Sequence, residues 1–216
     1  MRDQIIQKVL DKKIVAIVRG VYGEDCVNLA RALCEGGIEL LEVTFDQSKP
    51  ESLNRTSDTI RQLVQALGDR MIFGAGTVTT LEMLELARNA GAQFVVSPDT
   101  NEEVIKATVA AGMVSMPGAL TPTEIVTAHR YGADFVKLFP AGTQGTAYFK
   151  AVTAPLNHIR LLAVGGVNEK NIADFMAAGA VGAGVGGNLV NKTWIANGEF
   201  DRITALAKEF TEKAGV

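Results

Sequence analysis

Lys137, Glu42 and Arg19 are charged residues in runs that otherwise read as buried strand. Lys137 stands in Asp134-Phe-Val-Lys-Leu-Phe139, where alternation puts it on one face with Phe135 and Phe139. Glu42 shares a face with Leu40 and Thr44, and Arg19 ends a run in which it follows Val15 and Ile17. In a parallel sheet both faces are covered, so a charge within a strand needs a chemical or electrostatic reason. An ammonium walled by two Phe rings loses hydration, which lowers its pKa and leaves free amine near neutral pH. Such an amine attacks carbonyl carbon, and a neighbouring carboxylate can move the protons. The competing reading is structural: Lys137 and Glu42 form a buried ion pair, and Arg19 is a strand-end charge reaching solvent.

Glycines supply the next signal. Ala163-Val-Gly-Gly-Val167 and Gly184-Val-Gly-Gly-Asn188 each close a strand-like run, and paired glycines there let bare amides approach an anion. The alternative is that they only permit tight turns. Gly182, Gly184 and Gly187 spell GxGxxG, but in the last unit and with no acidic residue at a second strand end, which argues against a dinucleotide site. Thr77, after Gly74-Ala-Gly, is read on the face of Phe73 and Ala75, with a hydroxyl able to grip a carboxylate or cap a helix. The chain has two His, His129 and His158, and neither has a second His or a Cys at ligand spacing. No metal and no cofactor are therefore expected, and imine chemistry is favoured over Lewis-acid activation.

The elements that must position these residues alternate along the whole chain. Eight short apolar runs (14–19, 38–44, 71–76, 93–97, 113–116, 134–139, 159–164 and 180–186) are separated by helical patterns at 24–35, 51–67, 81–90, 102–111, 123–131, 146–153, 169–178 and 200–214. Thr79, Thr100 and Thr121 recur at intervals of 21, each with Glu three residues on, the capping-box pattern. Pro122 suits a first helical position, and Gly91, Gly112 and Gly132 suit helix ends. Eight strand-helix units predict an α/β fold, a closed (β/α)8 TIM barrel, with residues 1–12 as an extra N-terminal helix covering the bottom. A doubly wound open sheet is the alternative. No linker divides the chain, so one domain is expected over residues 1–216.

Composition bounds the partners. With 21 Lys and Arg against 24 Asp and Glu, the net charge of −3 gives no reason to bind nucleic acid. No apolar run approaches the roughly 20 residues of a membrane span, and residues 1–13 do not read as a secretory signal. Cys26 and Cys34, eight apart on one predicted helix, are about 12 Å distant along its axis, too far to bridge. A reducing cytoplasm is expected.

Together, Ile14-Val-Ala-Ile-Val-Arg19, Leu41-Glu-Val-Thr44, Gly74-Ala-Gly-Thr-Val78, Val96-Ser-Pro98, Met116-Pro-Gly118, Val136-Lys-Leu-Phe-Pro-Ala141 and Gly165-Gly-Val167 resemble the KDPG/KHG aldolase family. These class I enzymes act on 2-keto-3-deoxy-6-phosphogluconate or 4-hydroxy-2-oxoglutarate. The resemblance implies Lys137 as Schiff-base lysine and Glu42 as general acid/base. It implies Arg19, Thr77, Pro98 and Phe139 around pyruvate, and Gly165, Gly166, Gly187 and Asn188 at a phosphate. It also implies a keto-acid substrate, pyruvate as product and a homotrimer. Three positions depart from the phosphogluconate pattern: Asp46 for Arg, Val164 for Thr and Asn188 for Ser. Val164 is similar to the branch acting on the galactonate epimer. A phosphosugar isomerase or epimerase, and a noncatalytic effector-binding barrel, are the other classes open to such a chain.

Overall fold

The computed structural model describes residues 2–49 and 52–216. Helix α1 (Arg2–Lys12) leads into β1 (Ile14–Val18), α2 (Gly23–Glu35), β2 (Leu40–Thr44), α3 (Ser52–Leu67) and β3 (Ile72–Gly76). Then come α4 (Leu81–Asn89), β4 (Phe94–Val96), α5 (Glu102–Ala110), β5 (Val114–Met116), β6 (Gly118–Ala119) and α6 (Pro122–Arg130). The last third holds β7 (Val136–Leu138), α7 (Ala141–Thr153), β8 (Leu161–Val164), α8 (Ile172–Ala177), β9 (Gly182–Val185), α9 (Lys192–Ala196) and α10 (Phe200–Ala214). Met1 and Glu51, which the sequence reading included in its first and third helices, lie outside the described residues.

All strand pairings are parallel, in the order β5-β4-β3-β2-β1-β9-β8-β7-β6. The two ends of this ladder are successive in the chain, separated only by Pro117. Pro117 has no amide to donate, which splits the fifth strand in two. Its carbonyl still accepts from the Lys137 amide at 2.8 Å, so the sheet closes on itself as the expected eight-unit barrel. An open sheet is excluded.

Interior and exterior separate by the strand alternation. Val15, Leu40, Phe94, Val96, Val114, Met116, Phe135, Leu162 and Val164 fill the barrel, and Ile5 and Val9 of α1 plug its lower end. Ionic contacts from Lys8 and Lys12 to Glu39, and from Arg2 to Asp134 at 2.8 Å, hold α1 there. Gly74 leaves room for the Phe94 ring, which a Cβ would meet at 2.4 Å. The other strand face packs on the helices through residues such as Phe73, Ala75 and Val43.

The caps only partly follow the threonine repeat. Thr121 and Glu124 form the full capping box, with Pro122 at the first helical position. The caps of α4 and α5 are instead Thr80 and Asn101, each one residue later than the repeat implies. Thr79 accepts from Gln47 Nε2 at 2.9 Å and Thr100 donates to the Gly118 carbonyl at 2.8 Å, so both hydroxyls are taken by loop contacts. Gly91, Gly112 and Gly132 do take left-handed backbone at the helix ends. Helix α7 begins earlier than its pattern suggests because it comprises two helical pieces across Gly145, and α9 is a short helix the periodicity does not reveal.

Candidate active site

At the carboxyl ends of the strands lies a cavity of about 270 Å³. It is lined by Lys137, Glu42, Arg19, Thr77, Pro98, Phe139, Gly165, Gly166, Gly187 and Asn188, so every residue singled out from sequence meets there. Val164 lines it too, as does Gly186, the partner of Gly187 in the glycine pair noted from sequence, together with Ile17, Val167 and Gly184, which sequence reasoning did not select. Ile17 was legible as the inward neighbour of Arg19 two residues back. The glycines of β9 were visible but masked by their match to a dinucleotide pattern; their use is spatial, since a Cβ on Gly184 would meet Val164 at 3.0 Å and Ile17 at 3.1 Å.

Register places the central pair. Glu42 on β2 lies opposite Ile17 and Gly74, and Lys137 on β7 lies opposite Gly118 and Leu162. Glu42 is only 2% exposed and its Oε2 has no partner, nor does the neighbouring buried hydroxyl of Thr44. Burial pushes the Glu42 carboxyl up to about 7, against the opposing pull of Lys137 and Arg19. Lys137 is 8% exposed, and its ammonium lies 4.7 Å from the Phe139 ring centroid. Burial drives its pKa below the usual lysine value; Arg19 adds to the shift and Glu42 opposes it. Among the described residues no contact ion pair joins Lys137 to Glu42; the two act on each other through the cavity only by the electrostatic pulls that oppose their burial shifts. Of the two rings expected to wall the lysine, Phe139 stands at its nitrogen, while Phe135 lies lower, in the interior core.

Space for the carboxylate is built into β3. A Cβ on Gly76 would come within 2.7 Å of Glu42 Oε1. Thr77 then departs from the alternation that would have turned it outward with Phe73 and Ala75. Its φ of 59°, rare for a β-branched residue, turns it into the cavity wall, where its hydroxyl accepts from Arg19 Nη2 at 3.4 Å. Pro98 is set by its neighbours: Ser97 donates to the Val78 carbonyl at 2.6 Å, and Gly118 is bare where a Cβ would strike the Pro98 carbonyl oxygen at 2.4 Å.

The far wall is glycine. Gly165 and Gly166 have φ of 86° and 78°, a conformation that side chains resist. Gly142 at the start of α7 donates its amide to the Gly165 carbonyl at 2.7 Å, and Asn188 donates to the Val167 carbonyl at 3.0 Å. Asp46 does not line the cavity; it accepts from the Ser48 amide and hydroxyl, which hold its carboxyl below the ordinary range. His129 and His158, distant in sequence, are neighbours in space with ring centroids 5.4 Å apart, and neither lines the cavity.

A buried amine with a lowered pKa, a carboxyl held near neutrality and an Arg at the rim, all at the carboxyl ends of barrel strands, define an enzyme site for carbonyl chemistry. The sequence model described as KDPG and KHG aldolase matches residues 5–206, and the chain belongs to that family. It is 37% identical over 208 residues to the 2-dehydro-3-deoxy-phosphogluconate aldolase of Treponema pallidum, covering 94% of each chain. It is 32% identical over 200 residues to the 2-dehydro-3-deoxy-6-phosphogalactonate aldolase of Escherichia coli, covering 92% of this chain and 95% of that one. Among solved structures it matches the KDPG aldolase of Legionella pneumophila with pyruvate captured as a covalent carbinolamine. That match has a TM-score of 0.83 and 26% identity, over 94% of this chain and 96% of that one.

Proposed function

We propose that the chain is a class I aldolase that cleaves a 2-keto-3-deoxy-6-phospho sugar acid, or 4-hydroxy-2-oxoglutarate, reversibly to pyruvate and an aldehyde. The observation that carries this reading is the buried Lys137 amine, unpaired and facing the cavity, its affinity for a proton lowered by burial beside a carboxyl whose affinity burial raises. The neutral amine attacks the C2 ketone to give a carbinolamine, and loss of water gives an iminium. Glu42, directly or through a water, takes the C4 hydroxyl proton as the C3–C4 electron pair moves toward the iminium nitrogen and the aldehyde leaves. The enamine is protonated at C3 and the resulting iminium is hydrolysed, releasing pyruvate and the free amine. A carboxyl with a pKa of about 7 populates both forms near neutral pH, so it can accept one proton and deliver another.

Arg19 and Thr77 suit the pyruvate carboxylate, Phe139 and Pro98 flank the keto acid, and the amides around Gly165, Gly166 and Gly187, with Asn188, suit a distal phosphate. Residues 1–216 act as one domain without metal or cofactor. The family resemblance supports a homotrimer, and two unpaired cysteines suit a cytoplasmic setting. Among the described residues no helix is long and apolar enough to cross a membrane.

Incubation with pyruvate and borohydride tests the reading: it is expected to fix a reduced three-carbon adduct on the peptide containing Lys137. An isomerase, an epimerase or a noncatalytic barrel would gain none. A second expectation concerns Gly76. Because an added Cβ would collide with the Glu42 carboxylate end rather than with backbone, Gly76→Ala should fold and still trap pyruvate. Displacement of a catalytic group by about 1 Å costs on the order of a hundredfold in turnover. Unchanged cleavage rates in Gly76→Ala would refute the placement of Glu42.

A further inference from the structure

Among the described residues only two buried side-chain atoms lack a hydrogen-bond partner, Glu42 Oε2 and the Thr44 hydroxyl. Buried hydroxyls elsewhere are spent on backbone carbonyls: Ser97 donates to Val78 at 2.6 Å and Thr108 to Val104 at 2.7 Å. Glu42 and Thr44 stand two apart on β2, so both project from the same face of the strand, and Thr44 is 1% exposed. Register brings them closer still. Glu42 lies opposite Gly74 and Thr44 opposite Gly76. The Glu42 carboxyl nevertheless reaches into the row of Thr44: a Cβ on Gly76 would lie 2.7 Å from Glu42 Oε1 and 2.9 Å from Thr44 Cγ2. Both side chains therefore end over one glycine. The Thr44 carbonyl accepts from the Thr56 hydroxyl of α3 at 3.3 Å, which ties down the end of β2. Valine has the shape of threonine and suits a buried strand as well, so packing gives no reason for a hydroxyl here, and burying one without a partner is costly.

We infer that Thr44 is a positioning residue, whose hydroxyl holds Oε2 of Glu42 through one bound water and so fixes where the carboxylate stands against the substrate. This rests on the aldolase reading, in which Glu42 moves the proton, and deepens it. One water suits the spacing because the two oxygens are not in direct contact, and buried waters gather polar groups that are otherwise unsatisfied. Thr44 does not line the cavity, so it acts on Glu42 from behind and touches no substrate. Its hydroxyl bonds the ionised carboxyl more strongly than the neutral acid, which favours the form that accepts the C4 hydroxyl proton. The charged groups around Glu42 are Lys137 on β7 and Arg19 beyond β1; its neighbours Ile17, Gly74 and Gly76 carry no charge. Replacing Thr44 alters none of them.

The test follows cleavage of 2-keto-3-deoxy-6-phosphogluconate, or of its galactonate epimer if wild type prefers it, across pH in wild type, Thr44→Val and Thr44→Ser. Glu42 works as a base in cleavage, so kcat rises with pH as the carboxyl ionises. In Thr44→Val that limb is expected about one pH unit higher, a loss of about tenfold in kcat along it, with KM and the borohydride-trapped pyruvate adduct as in wild type. Thr44→Ser should bring the limb back. The carboxyl itself is titrated by infrared difference spectroscopy, its band assigned by its loss in Glu42→Gln, and its midpoint should move with the limb. A limb and a carboxyl midpoint unmoved in Thr44→Val, or a Thr44→Ser as impaired as Thr44→Val, would overturn the inference. Should Thr44→Val not fold, Thr44→Ala compared with Thr44→Ser isolates the hydroxyl by the same readouts. Failure of the underlying aldolase reading shows separately, as the absence of a trapped pyruvate adduct in wild type, and the carboxyl titration then still decides the role of Thr44.

Discussion

Lys137→Ala should lose the trapped pyruvate adduct completely and lower turnover by at least about 10⁴-fold, since removing a covalent nucleophile leaves only binding and polarisation. Such a loss is informative only if the variant folds, and the environment of Lys137 argues that it will. The amine is almost wholly buried, and desolvation lowers its pKa, so folding favours the neutral form. Between that lowered pKa and the ordinary lysine value the unfolded chain holds more protons, and stability rises with pH across the window. Below it the folded state bears the full cost of a buried cation. A same-length apolar replacement, Lys137→Met, removes that cost, and is expected to melt no lower than wild type at pH 7 while remaining inactive. A thermal melt alongside the adduct assay checks both halves. An active Lys137→Met would remove the nucleophile from the mechanism, whatever its stability.

That the active-site lysine works against stability also explains how it could be read from sequence. A charged residue with apolar neighbours at i−2 and i+2 in a short parallel strand has no packing reason to be there; Lys137, between Phe135 and Phe139, carries that signature in full, and Glu42, between Leu40 and Thr44, carries half of it. The eight-unit alternation was legible for the same reason: period-two apolar runs separated by helical stretches ending in glycine leave few topologies. What was not legible depended on contacts across the chain. Thr79 and Thr80 satisfy the local capping pattern almost equally, and the choice between them turns on Gln47, a residue of another loop. Thr77 faces the cavity only because its backbone takes a left-handed value, which alternation cannot foresee. The histidine pair likewise became neighbours only through the packing of α6 beside the α7–β8 loop.

Glu42→Gln separates binding of the keto acid from breaking of the carbon–carbon bond. The amide keeps the size and much of the polarity of the side chain but cannot exchange a proton at neutral pH, so the pyruvate adduct should still form. Cleavage should fall by at least about a hundredfold, the usual worth of a placed general acid or base. The stability of the same variant gives an independent check through pH. Folding raises the Glu42 pKa from 4.5 to about 7, because burial penalises the carboxylate. The stabilisation that comes from binding this extra proton is fully present below 4.5 and is lost as pH rises through about 7. The difference, 7 − 4.5, or about 2.5 pH units, is worth about 3 kcal/mol. Glutamine carries no such cost. Glu42→Gln should therefore exceed wild type in stability by about that amount at pH 8, with the advantage shrinking toward zero near pH 4.5. Denaturant titrations at the two pH values measure it. A variant that is inactive but gains nothing at pH 8 would show that the wild-type carboxylate is better solvated or paired than its buried, partnerless Oε2 indicates, and the proton-transfer role would lose its physical basis.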